Sequence, residues 1–150
     1  MELFVTAAHR DEQFHSFLRA LREICGLTIA QVASELDVGG EVVRLWESGK
    51  AEVPESALAW MRGMAVEHSL QARRDIEEVT ARARPGQAVA MNHYRDQIQA
   101  DLAAELAGIE PISHRLLNAV TRSTAERLIE MGYPVSCIYP DEERSDVKRG

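Results

Sequence analysis

The chain has 150 residues, 45% hydrophobic and 27% charged, the balance of one compact globular domain or of a small domain joined to a second element. Its formal net charge of -7 excludes nucleic-acid binding through a general excess of cations, and no apolar run approaches the roughly 20 residues of a membrane-spanning helix. The two cysteines, Cys25 and Cys137, form no CxxC pair and read as reduced thiols packed like small hydrophobes.

The opening Met1-Glu2-Leu3-Phe4-Val5 lacks the basic region and long apolar stretch of a signal peptide, so a cytoplasmic location is expected. Phe14, Phe17, Leu18, Leu21, Ile24 and Cys25 recur at helical spacing, which predicts an amphipathic helix over 11–25 stopped by Gly26. Thr28 followed three residues later by Gln31 is a capping-box pattern and starts a second helix with Val32, Ala33 and Leu36 inward. Asp37 tolerates the left-handed turn that ends such a helix. A third helix is predicted from Gly39 or Gly40 to Ser48, with Val43 and Trp46 inward and Gly49 as its stop.

Pro54 suits a helical first turn, and apolar periodicity then runs through Leu58, Met61, Ala65, Ala72, Ile76 and Val79. Such a length implies either a kink near Gly63 or a long connector, and Pro85-Gly86 is the clearest boundary. Beyond it, 87–91 and 135–139 read as short strands. Between them a helix capped by Asn92 is expected to reach Ala107, ended by Gly108. Another is expected over 111–131, carrying Leu116, Leu117, Val120, Leu128 and Ile129, with Gly132 as its stop. The charged segment from Asp141 reads as a frayed tail.

The informative stretch is 17–54, FLRALREICGLTIAQVASELDVGGEVVRLWESGKAEVP. Small Ala33 lets the following helix approach closely, while Val38, Val43 and Trp46 clamp that helix onto the first. From Leu18 to Lys50 the segment resembles, without gaps, the phage-repressor (Cro-like, XRE) helix-turn-helix family. The likeness is carried by Leu18 to Arg22, Gly26-Leu27-Thr28, Ala33, Leu36, Val38, Val43 and Trp46-Glu47-x-Gly49-Lys50. WESGKAEVP at 46–54, with the helix beginning His114-Arg115-Leu116-Leu117-Asn118-Ala119-Val120 and a closing strand, is similar to the YdiL-like and anti-CRISPR-associated (Aca-type) regulators.

The resemblance implies an N-terminal reader of double-stranded operator DNA joined to a C-terminal dimerisation module, commonly an autorepressor. It implies an internal ion pair between Arg22 and Glu47. Gly40, Glu41 and Leu45 match positions facing base edges, Arg44 and Lys50 positions reaching phosphates or bases, and Thr28 and Gln31 positions at the DNA backbone. The match is incomplete: Ile29 stands where the family often has Gln, Gly39-Gly40 replace hydroxyl or amide residues, and Arg44 is the one cation of the reading helix. Glu41 can accept from a cytosine amino group or be a solvated carboxylate; Leu45 can meet a thymine methyl or a neighbouring subunit. Arg19, Arg62, Arg73, Arg74, Arg82 and Arg84 read either as a phosphate-facing rim or as surface arginines paired with Asp75, Glu77 and Glu78.

His9, His15, His68, His93 and His114 fall at no metal-binding spacing, no Gly-rich loop follows a strand, and no nucleophile elbow occurs. The expected protein is therefore not an enzyme and needs no cofactor or metal. The expected fold is mainly α, an N-terminal helix-turn-helix bundle of about five helices plus a small C-terminal α+β dimerisation module in β-α-α-β order. Its expected parts are a DNA-binding domain at 10–65, a connecting helix at 66–85, a dimerisation domain at 86–140 and a flexible tail at 141–150. The expected partners are operator DNA and a second copy, without a membrane. An antitoxin whose second half binds a toxin, a pure protein-interaction module, and an RNA binder using the connector arginines are the competing readings.

Overall fold

The computed structural model describes residues 14–140. It is mainly helical, in the order α1 (Phe14–Ile24), α2 (Ile29–Glu35), α3 (Gly40–Glu47), α4 (Glu55–Arg82), β1 (Val89–Asn92), α5 (Gln97–Ala107), α6 (His114–Glu130) and β2 (Val135–Ile138). The chain divides into two compact units, Met1–Ala65 and Val66–Gly150. The tail at 141–150, the opening at 1–5 and the first residues of the predicted first helix (11–13) lie outside the described residues.

In the first unit α1 and α2 both pack on α3. The core is Leu18, Leu21, Cys25, Val32, Ala33, Val43 and Trp46, joined by Ala57, Leu58 and Met61 from the start of α4. The predicted capping box is present: Thr28 Oγ1 accepts from Gln31 N at 3.1 Å, and Gln31 Oε1 accepts from Thr28 N at 3.0 Å. Asp37 takes the left-handed conformation (φ 53°), so the chain reverses within four residues and α3 begins at once. Two expectations need correction. The bundle of about five helices is three helices and the first part of a fourth among the described residues. Phe14, Phe17 and Ile24 are exposed, because the packed line of α1 is Leu18–Leu21–Cys25. Phe17 and Ile24 stand to one side of that line, and the Phe17 ring lies under the Arg62 guanidinium at 5.5 Å.

Helix α4 runs 28 residues with Gly63 inside it, as a long helix of the predicted span. In the second unit β1 and β2 form a two-stranded parallel sheet, Val89 opposite Val135 and Asn92 opposite Ile138. Parallel strands need a long crossover, which α5 and α6 supply. The first strand starts at Val89 rather than residue 87 and takes in Asn92. Asn92 is therefore not the helix cap; Asp96 is, its side chain accepting from Gln99 N at 2.9 Å. α6 starts at His114, later than residue 111, and Ile129 points to solvent while Val120 and Leu128 are buried.

The second core combines Val120, Leu128 and Tyr133 with small and polar residues: Ala72, Ala100, Ala104 and Ala119 with Gln99, Asn118, Thr121 and Thr124. Gln99, Asn118 and Thr121 are tied to backbone, whereas Thr124 Oγ1 has no hydrogen-bond partner among the described residues. Asn118 accepts from Tyr94 N at 2.8 Å and donates to Tyr94 O at 2.7 Å, and Thr121 Oγ1 donates to Asn92 O at 3.1 Å. Several large aliphatics of this unit, Ile98, Leu102 and Leu106 among them, remain exposed.

His68 of α4 is buried, with Nε2 3.0 Å from Ser123 Oγ and Nδ1 without a hydrogen-bond partner among the described residues. Burial, assisted by the charge of Arg122, lowers its pKa from the usual 6.5. The unfolded chain therefore takes up a proton below that pH more readily than the native one, and stability must fall as the solution is acidified. Urea midpoints measured between pH 7.5 and pH 5 should decline, and His68→Gln should flatten the slope on the acid side. An unchanged slope would show that His68 is not responsible.

Candidate nucleic-acid interface

The site is built on α3, whose orientation is set from its inner side. Val43 and Trp46 are buried, and Glu47 at the end of the helix forms a two-pronged ion pair with Arg22 of α1. Nε and Nη2 of Arg22 each lie 2.8 Å from a Glu47 oxygen, with side chains only 13% and 8% exposed. The remaining Arg22 nitrogen, Nη1, donates to the Leu27 carbonyl at 2.9 Å. The hydrogen-bonded Glu47 carboxylate raises the guanidinium pKa further above its usual value. One side chain thus ties α1, the turn before α2 and the end of α3 together.

With that side fixed, Glu41, Arg44, Leu45 and Ser48 occupy the outer face of α3. Arg44 reaches back along the helix: Nη1 lies 3.3 Å from Glu41 Oε1 and close to where a Cβ on Gly40 would stand. The same Cβ position is 3.9 Å from the Ile29 side chain, so Gly40, Glu41, Arg44 and Ile29 cluster where the first turns of α2 and α3 meet. Arg44 and Glu41 are 59% and 87% exposed, so their contact is a solvated pair that a ligand can exchange at little cost. Leu45 is exposed at the next position round the helix.

The other sequence-selected residues are placed differently. Thr28 and Gln31 are half-buried and engaged in the capping box. Lys50 is exposed but beyond the end of α3, its N–H bonded to Leu45 O, so it flanks the outer face. Of the suggested arginine rim, Arg19 is paired with Glu23 and Arg82 with Glu78, whereas Arg73, Arg74 and Arg84 are exposed. The structure adds two residues. Ser48 completes the outer face, which the 41-44-45-48 spacing could have indicated. At Gly39 a Cβ would meet nothing within 4 Å, and its φ of -73° is ordinary. The fold therefore does not require glycine there; its effect is to leave the backbone bare at the electropositive start of α3. Gly49 differs: its positive φ of 76° and the His15 ring 3.5 Å from a would-be Cβ both call for glycine.

No group of three or more His, Cys, Asp or Glu residues able to hold a metal ion occurs among the described residues, and no described helix is long and apolar enough to cross a membrane. Neither a protein-family model nor a curated protein matches the sequence.

The Arg22–Glu47 pair makes a clear demand on mutants. Either Arg22→Ala or Glu47→Ala strands a mostly buried charge and should cost about 3–5 kcal/mol in chemical unfolding. The double substitution should cost less than the sum of the two singles. Additive losses would mean the pair does not act as a unit.

Proposed function

We propose that this chain is a sequence-specific, double-stranded DNA-binding transcriptional regulator, an autorepressor that occupies an inverted-repeat operator as a homodimer and excludes polymerase. The observation that carries the reading is the two-sided character of α3. Its inner side is held by Val43, Trp46 and the Arg22–Glu47 pair, and its outer side presents Glu41, Arg44 and Leu45 beside a bare glycine start. A short helix so presented has the dimensions to enter a major groove end-on, where Arg44 reaches a guanine edge or phosphate and Glu41 a cytosine amino group. The glycines let the backbone approach the duplex. The net charge of -7 makes local placement, rather than bulk attraction, the basis of binding.

The homodimer is supported by α5. Its inward residues are Gln99, Ala100 and Ala104, whereas Ile98, Leu102 and Leu106, one helical turn apart, are 72%, 52% and 71% exposed. A continuous aliphatic stripe of this kind is what an interface covers. The same stripe also favours a second reading, a partner protein such as a toxin seated there.

Two experiments test these readings. With operator fragments selected from random DNA, Arg44→Ala should weaken binding by about 1–3 kcal/mol and Gly39→Ala should also weaken it, both leaving the melting temperature nearly unchanged. Trp46→Ala should instead unfold the first unit, losing roughly 3–5 kcal/mol. Equal losses of binding and stability in all three would refute this division of labour. In equilibrium sedimentation at micromolar concentration the chain should be a dimer and Leu102→Glu a monomer; a wild-type monomer would discard the two-fold model.

A further inference from the structure

The second unit contains a groove of about 620 Å³ that the DNA-binding reading does not use. One wall is α4, contributing Gln71, Asp75, Glu78 and Val79, which recur on one helical face. The other wall and floor are β1 with Ile112, Leu117 and Val120. The volume suits a small organic molecule, and the floor is aliphatic.

The charges along the rim are unequal in what they have to bind. Glu78 is paired with Arg82 at 3.0 Å. Asp75, half-buried, has among the described residues only the Gln71 amide at 2.8 Å, and the charge it feels there is the like charge of Glu78. Burial, with that repulsion, raises its pKa above the usual carboxylate range despite the Gln71 bond. A half-dehydrated carboxylate with no counter-ion among the described residues, in a groove with an aliphatic floor, is complementary to one chemical class. We propose that this groove binds an amphipathic organic cation, an amine on an apolar body, with the ammonium on Asp75 and the body against Val79, Ile112 and Val120. Arg82 also lines the groove but is paired with Glu78, so an anion would have to displace Glu78 and would still meet Asp75 with like charge, and a neutral apolar molecule would leave Asp75 uncompensated. This inference is independent of the DNA reading.

The test uses three probes of one shape on the full chain: 4-phenylbutylamine, 4-phenylbutanol and 4-phenylbutyrate. Affinities come from calorimetry and location from amide chemical-shift mapping. The amine should bind about tenfold more tightly than the alcohol, as expected for a charged hydrogen bond in a partly dry site, and the acid should not bind. Shifts should centre on Val79, Met91 and Val120. Asp75→Asn should bring amine and alcohol within about threefold of each other with the alcohol unchanged; Glu78→Gln should reduce the preference less. If Asp75→Asn fails to fold, the Glu78→Gln comparison and the mapping decide. Equal binding of amine and alcohol, no binding to millimolar concentration, or shifts centred elsewhere would overturn the proposal. So would shifts at Val79 and Val120 that follow protein concentration alone, since a second copy would then fill the groove.

Discussion

The first unit depends on the bidentate contact between Arg22 and Glu47. A guanidinium with three of its nitrogens engaged, two on one carboxylate and one on the Leu27 carbonyl, has almost no rotational latitude. Burying such a pair roughly balances attraction against lost hydration. Its main consequence is therefore geometric. Val43 and Trp46 must face the core while Glu47 meets the Arg22 fork, and a rotation of α3 by part of a turn would break both contacts. The rotation that satisfies both places Glu41, Arg44 and Leu45 outward.

The two units differ in how much polar and small-residue surface they bury. The first buries large side chains, Leu18, Met61, Val32 and Val43 among them, and its interior is apolar. The second buries Leu128, Val120 and Tyr133 together with several alanines and polar side chains, and leaves Ile98, Leu102, Leu106, Ile109 and Ile112 exposed. Each exposed aliphatic of this size forgoes on the order of 1.5–3 kcal/mol of burial. A unit built so gains by covering that surface, whether with a second copy, a partner protein or a ligand, and its interior polar bonds keep loops such as the one at Tyr94 in place meanwhile.

The outer face of α3 is also economical in charge. Arg44 is its one cation and already touches Glu41, so the pair presents a donor and an acceptor side by side rather than a positive field. Proteins that hold DNA mainly by phosphate attraction lose affinity steeply with salt. On the proposed DNA-binding reading, a face of this composition would place more weight on base edges, backbone approach at Gly39 and Gly40, and the shape of the duplex.

What the amino-acid sequence determined by itself was most of what depends on neighbours a few residues away. The Thr28–Gln31 box, the left-handed Asp37, the glycine ends at Gly49 and Gly108, the helix α3 and the β-α-α-β order of the second unit all follow from backbone geometry and periodicity within one or two turns. The tertiary structure alone decided which apolar residues are covered. Phe17 and Ile24, at helical spacing with the core, stand outside it because α3 covers a narrower line; Asn92, a good cap by composition, was drawn into a strand by its distant partner Ile138. The pairing of Asp75 with an aliphatic floor is of the same kind, since its walls come from α4, β1 and α6. Burial and the fate of a charge depend on what arrives from elsewhere in the chain, and periodicity carries no record of that.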